Sequence, residues 1–193
     1  MFFCQVNELH ELRLLKISDA EELFALTNVN RDYLRQWLPW LDSIHQINDT
    51  RSFIRSTLWQ VDENRGFVAA ICYEGDIVGT VGFNWIDWQN RIGYIGYWLS
   101  ASHQGQGIMT RSCQALIDYA FGTLKLNRVV IACAAENHRS RAIPTRLGFS
   151  YEGKARAAEW LYDRFVDHDI YALLQHELKK FGWLARTFYR SHK

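Results

Sequence analysis

Two periods govern the apolar positions of this chain. In some stretches they recur every three or four residues, and in others they form short β-branched or aromatic runs. Residues 12–16 read as a first strand. Ser18 and Glu21 stand at capping-box spacing, and Leu23, Phe24 and Leu26 follow at helical intervals, which predicts a helix. A second helix is expected from Asn30 towards Trp37, ending before Pro39, because a residue that precedes proline is pushed out of the helical region. Residues 50–60 predict a third, with Phe53, Ile54 and Leu58 on one side. Three strand-like segments come next, 66–73, 77–85 and 91–99, separated by Glu74-Gly75-Asp76 and by the polar residues 87–90. Connections this short favour an antiparallel meander.

After residue 107 the period changes again. Met109, Cys113, Leu116, Ile117, Ala120, Phe121 and Leu124 mark a long amphipathic helix. A compact β-branched strand, 128–134, follows at crossover distance and is expected to lie parallel to the strand before the helix. A short helix from His138 should end at Gly148, further strands fit 149–155 and 167–174, and a polar helix closes the chain. The order is α+β: one mixed sheet with helices on both faces, in a single domain spanning 1–193.

Composition narrows the classes of function. A hydrophobic share of 48% and an aromatic share of 15% describe a globular protein. A net charge of +1 gives no general case for nucleic acid. No apolar run approaches the ~20 residues of a membrane span, and the N-terminus lacks the pattern of a signal peptide, so a cytoplasmic protein is expected. The four cysteines are scattered and read as reduced packing residues, with no support for a disulfide framework or a metal site.

The chemistry concentrates between Tyr97 and Thr110. A strand ending at Leu99, a polar loop with Gly105 and Gly107, and a helix start at Ile108 together make a pocket of backbone N–H groups at the positive end of a helix dipole. Glycine lets the main chain approach an anion closely. The loop matches neither a Walker pattern nor a dinucleotide fingerprint.

This order of elements resembles the GNAT acyltransferases from Leu12 to about Leu174. Gln104-Gly105-Gln106-Gly107 is similar to the pyrophosphate loop of that superfamily, and Asn137-His138-Arg139-Ser140 with Arg146-Leu147-Gly148-Phe149 to its second cofactor segment. The stretch from Asn30 to Trp40 resembles the substrate-side helix of the RimJ/RimL branch, whose members acetylate protein N-termini, notably of ribosomal proteins, and are often homodimers.

The resemblance implies a GNAT fold in which a parallel strand pair splays to admit acetyl-CoA. It implies an oxyanion donor at or next to the N–H of Leu99, diphosphate contacts from Gln104, Gly105, Gln106, Gly107, Ile108, Met109 and Thr110, and further cofactor contacts from Asn137 and Ser140. Asn30, Arg31, Tyr33, Leu34 and Trp37 would line the acceptor site. Two positions depart from the family pattern. Ser102 stands where Gln or Arg is usual, which Arg111, Arg139 or Arg141 would have to offset. Pro144 replaces a tyrosine that protonates the departing thiolate, and it should bend or shorten its helix. Ser140, one turn earlier, is the nearest alternative donor, or else a cofactor contact alone.

The reaction needs a neutral amine. An α-amine with a pKa of about 7.7–8.0 is already partly neutral at pH 7, whereas a lysine at about 10.4 is almost wholly charged. A carboxylate base then suffices. Glu159 matches the branch's glutamate, and Trp160 and Leu161 beside it suggest partial burial; Glu152 and Asp87 are weaker candidates. The aromatics Tyr33, Trp37, Trp40 and Trp85 read as core first. A nucleophilic Cys113 activated by His103 is disfavoured because the helical phase buries Cys113. The remaining alternatives are acetylation of a small-molecule amine (polyamine or drug-like) and a non-catalytic CoA-binding module.

Overall fold

The computed structural model of the chain describes residues 3–181, with side chains to residue 178. Eight strands form one sheet in the order β1-β2-β3-β4-β5-β6-β8-β7. They are β1 (Phe3–Gln5), β2 (His10–Leu14), β3 (Phe67–Tyr73), β4 (Asp76–Asp87), β5 (Ile92–Leu99), β6 (Arg128–Ala134), β7 (Ser150–Leu161) and β8 (Arg164–Leu174). Every neighbouring pair is antiparallel except β5 and β6. The crossover between those two is the helix α4 (Ile108–Gly122), as its length requires.

Helices α1 (Ala20–Val29) and α3 (Ile47–Asp62) cover one face of the sheet, α4 and α5 (His138–Arg146) cover the other, and the short α2 (Arg31–Arg35) follows α1. Strand alternation supplies each face with its own core. Val81, Phe83, Ile95 and Leu99 pack beneath α4 with Cys113, Leu116 and Ile117, while Ala70, Cys72 and Ile77 meet Leu23 and Ile54 of α1 and α3. All four cysteines are buried and free.

The differences from the sequence expectation are local. Strand β1 carried too short a pattern to be seen, and β2 begins two residues before the expected 12–16. The expected box of Ser18 and Glu21 is displaced: the Asp19 carboxylate accepts the Lys16 N–H at 2.7 Å while also holding Arg13. In α3 the start moves to Ile47, because Asp49 accepts the N–H groups of His45 and Gln46. Strand β7 runs to Leu161, well past residue 155, so Glu159 lies in a long β-hairpin. The expected closing helix begins as a 3-10 segment, Gln175–Phe181, and the rest of it lies outside the described residues. Trp85 is not core: it is 51% exposed and stacks on Tyr94 with ring centroids 5.0 Å apart.

Candidate active site

A gap opens in the sheet where β5 and β6 part. Their parallel pairing runs only from Ile92↔Arg128 to Ile95↔Ile131. Beyond it, β5 stays with β4 as far as Gly79↔Leu99, and β6 stays with β8 as far as Ala134↔His168. The Ser100 N–H donates to Val78 on β4 at 2.8 Å, so strand alternation turns the Leu99 N–H to the opposite edge, into the gap. By the same rule the Ala135 N–H, which donates to Asp167 at 2.9 Å, leaves the backbone groups of Ala134 facing the gap from the other side.

Two cavities meet there from opposite faces of the sheet, and Trp37, Leu38, Tyr97, Trp98, Asn137 and Ser140 line both. The cavity on the α4/α5 face has a volume of about 850 Å³. Leu99, Gln104, Gly105, Gly107, Ile108, Met109 and Thr110 line it, together with Asn137 and Ser140. Gly105 (φ 77°) and Gly107 (φ 74°) are left-handed, which is why the loop needs glycine. The ladder of α4 starts with the Arg111 N–H on the Gly107 carbonyl, so the N–H groups of Ile108, Met109 and Thr110 have no partner within the helix. Gln106 is the predicted loop residue that does not line the cavity: its amide donates to the Ser102 carbonyl and its own carbonyl accepts from Arg111.

Cationic groups surround this cavity in place of the side chain missing at Ser102. Arg111 and Arg139 line it. Arg141 does not: its Nε lies 2.8 Å from Oδ2 of the buried Asp169, and it also reaches the Ala135 carbonyl. Arg146, named in the second cofactor segment but not among the arginines expected to offset Ser102, takes that place and donates to Thr110 Oγ1 at 2.8 Å. The signal was available, since residues 139 and 146 are two helical turns apart and share a face.

Pro144 does not end α5 early: the helix runs through it to Arg146. Having no N–H, it leaves the Ser140 carbonyl without its helical donor. The Tyr97 hydroxyl donates to that carbonyl at 3.1 Å, and Ser140 Oγ donates to the Tyr97 oxygen at 3.2 Å. Burial, then the neighbouring Cys113, pushes the Tyr97 phenol well above its ordinary value, so it stays protonated. Asn137 caps α5, its Oδ1 accepting the Ser140 N–H at 3.1 Å. Cys113 is fully buried and its thiol is pushed up by burial, while His103 Nδ1 is engaged by Ser100 Oγ at 2.7 Å.

The second cavity, of about 730 Å³, lies on the α1/α3 face. Glu159 and His168 line it, Glu159 Oε2 standing 3.3 Å from His168 Nε2. A bulge between Ala155 and Glu159 turns the carboxylate this way: Ala157 adopts φ 49° and its N–H donates to Asp167 Oδ1 at 2.9 Å. The apolar neighbours behave differently from expectation. Leu161 is buried, but Trp160 is 53% exposed and packs against Phe165 on the outside of the hairpin. Glu152 instead pairs with Arg128, and Asp87 holds Asn90 in a turn.

The substrate-side helix divides. Trp37 lines both cavities, while Tyr33 and Leu34 line the one on the α4/α5 face. Asn30 and Arg31 line neither, because the chain itself uses their polar groups. Asn30 accepts the Ala101 N–H at 2.8 Å, and Arg31 donates to the carbonyls of Leu41 and Ile44 at 2.6 Å each. The hairpin tip closes onto this region, with the Tyr162 hydroxyl donating to the Leu38 carbonyl at 2.6 Å and the Arg35 guanidinium 3.9 Å from the centre of the Tyr162 ring.

A sheet split beside a glycine-led helix is the frame on which the sequence profile of the Acetyltransferase (GNAT) domain matches residues 11–150. The chain belongs to the GNAT acetyltransferase family. The ribosomal-protein-serine acetyltransferase of Escherichia coli (strain K12) is 33% identical to this GNAT protein over 168 residues, covering 87% of this chain and 94% of that protein. The solved structure of RimL, a ribosomal L7/L12 alpha-N-protein acetyltransferase in complex with coenzyme A, is similar with a TM-score of 0.86 and 32% identity, covering 90% of this chain and 98% of its own. The microcin C7 self-immunity acetyltransferase MccE, solved with acetyl-CoA and AMP, has a TM-score of 0.84 and 35% identity, with coverage of 88% and 94%.

Proposed function

We propose that this GNAT enzyme transfers acetyl from acetyl-CoA to the N-terminal α-amine of a protein, a ribosomal protein being the favoured acceptor. One observation carries the reading: two cavities on opposite faces of the sheet meet at the β5/β6 gap, one holding anion-binding groups and the other a carboxylate. The cavity on the α4/α5 face suits a phosphate-bearing thioester, with the free N–H groups of α4 and Arg111, Arg139 and Arg146 for its phosphates. The edges at Leu99 and Ala134 offer partners for its amides.

In this reading the Leu99 N–H donates to the oxygen that gains charge when the amine adds to the thioester carbon, an effect worth about 3–4 kcal/mol for one such donor. Glu159, held by His168, accepts the proton the amine loses. Ser140 Oγ turns its hydrogen from the Tyr97 oxygen to the sulfur as the bond to carbon breaks, the Tyr97 hydroxyl keeps the Ser140 carbonyl, and the departing thiolate takes a proton from water, balancing the one Glu159 received. The product amide and the free thiol then leave on opposite faces. Arg31 holds the Leu41 and Ile44 segment beside the acceptor cavity and Asn30 holds the Ala101 turn beside the cofactor cavity, while Trp37 stands between the two, with Tyr33 and Leu34 on the cofactor side. A cytoplasmic, homodimeric protein belongs to the same reading.

MccE, with AMP in its structure, raises a small-molecule acceptor as the second reading. The charges here favour the first. Among the described residues Glu159 is the one carboxylate lining the acceptor cavity, too few for a polyamine, and no lysine or arginine lines it to meet a phosphate.

The test is mass spectrometry of protein N-termini from cells with and without this protein, paired with acetylation of a purified peptide that carries both a free N-terminus and an internal lysine. Acetyl on the N-terminal amine supports the reading; acetyl on the lysine alone overturns it.

A further inference from the structure

The acceptor cavity carries a statement about which chain ends it takes, and this inference rests on the function proposed above. Its ionisable carboxyl and imidazole groups, Glu159 and His168, stand together on the β7/β8 hairpin. Away from them the walls are apolar and aromatic: Leu23, Ile44, Phe53 and Val68, with Trp40 and Trp98 at 6.4 Å between ring centroids. The polar groups in this part include Thr27, Thr50 and Thr80, which are uncharged, and the Thr27 hydroxyl already donates to the Leu23 carbonyl at 2.8 Å. An amine at the gap, beside Glu159, therefore has an uncharged room behind it.

We infer that this room selects acceptors with an apolar or aromatic side chain, and no charged one, within their first three residues. Two physical terms combine. Apolar area leaving water gains roughly 25 cal/mol per Å². A carboxylate or ammonium brought into the room finds no opposite charge among the described residues of the walls away from the hairpin, and burying an unpaired charge is strongly unfavourable. Refusing charged ends is thus built into the site as firmly as accepting apolar ones. The room's volume, about 730 Å³ with the gap included, is within the ordinary range of about 300–1,000 Å³ for a site that encloses its ligand.

The experiment measures kcat/KM with saturating acetyl-CoA for peptides on one Ser-Ala-Ala frame, in which position 2 or 3 becomes Leu, Phe, Asp or Lys. An aminoacyl sulfamoyl adenylate runs alongside as a nucleotide-bearing amine. Leu or Phe at one of the two positions should exceed Ala by at least about tenfold, in the range that a few methylenes supply in an enclosed pocket. Asp and Lys should fall at least about a hundredfold below Leu, mainly through KM. Equal rates for all peptides would overturn the inference while leaving the proposed function standing. Turnover of the nucleotide analogue with none for any peptide would overturn both.

A variant makes the assignment specific to this wall. Phe53 is 39% exposed on α3, on a different element from Glu159, so Phe53→Arg should fold. It should raise kcat/KM for the Asp peptides and lower it for the Leu peptides, reversing their order. An unaltered ranking would remove Phe53, and the room it lines, from acceptor selection.

Discussion

Single residues here do their work by what they withhold as much as by what they supply. Pro144 withholds an N–H, and the Tyr97 hydroxyl takes the Ser140 carbonyl left open at 3.1 Å. Pro144→Ala restores the helical donor, so that carbonyl becomes contested and Tyr97 loses its anchor. The expected result is a kcat several-fold lower with the CoA dissociation constant nearly unchanged; an unchanged kcat would disconnect the proline from the site. Glu159→Gln should cost more, about 10²–10⁴-fold in kcat for the loss of a general base, again without weakening CoA in calorimetry. Equal losses in both quantities would remove Glu159 from that role. His10 withholds a partner of another kind. It is fully buried, and because Ser112 Oγ donates to the Ile108 carbonyl, His10 Nε2 must carry the hydrogen it gives to Ser112, which leaves Nδ1 bare and unpaired. Burial, and then Arg111, lowers its pKa from 6.5 to about 4. The folded state thus refuses a proton that the unfolded state accepts, so this contribution is full above pH 6.5 and drains away as pH falls towards 4. Between pH 7 and pH 5 the loss is about 2 kcal/mol. Urea unfolding at the two pH values should show it, and His10→Gln should flatten the slope by that amount. An equal slope in both proteins would mean that His10 is not the group being titrated.

Elements show where the sequence was legible and where it was not. The glycine loop and α4 were readable because their causes are local: the helical period from Met109 to Phe121, and glycines at the positions that turn out left-handed. Gly107→Val should weaken CoA binding by at least about tenfold, since a β-branched residue is strained at φ 74° and its Cβ would press on Arg111 Nη1 at 2.9 Å, displacing a guanidinium that lines the cofactor cavity. Gly122 is the contrast, an exposed helical glycine with open space at its Cβ. Gly122→Ala should stabilise by about 0.5–1 kcal/mol without touching CoA affinity. What the sequence could not reveal depended on distant partners. Asn30 and Arg31 are polar residues on the expected helix, but their contacts reach Ala101, Leu41 and Ile44, and only the assembled fold shows those groups as already taken. Glu159 was identified by resemblance, yet its direction comes from a bulge that register alone sets. The Tyr162 clasp joins residues 124 apart in the chain, beyond any local pattern.

At the scale of the molecule, the sheet is two blocks that share little. Strands β1 to β5 form one, β6, β8 and β7 the other, and the parallel contact from Ile92↔Arg128 to Ile95↔Ile131 is their only ladder among the described residues. Helix α4 crosses between the blocks, and α5 leans on both through Ser140 to Tyr97 and Arg141 to Asp169. A ligand seated in the gap would therefore complete the sheet as well as occupy a site, pairing with the edge of β5 at Leu99 and that of β6 at Ala134. Because it would bind only the folded chain, CoA at a hundred times its dissociation constant should add about 2.7 kcal/mol. For a chain of this size that raises Tm by about 5–11 °C. Hydrogen exchange should localise the gain, slowing on β5 past Ile95 and on β6 past Ile131 together, because one molecule spans both edges. Protection confined to the 104–110 loop would mean that the diphosphate is held while the arm stays outside the sheet, and the gap would then lose its place in the mechanism.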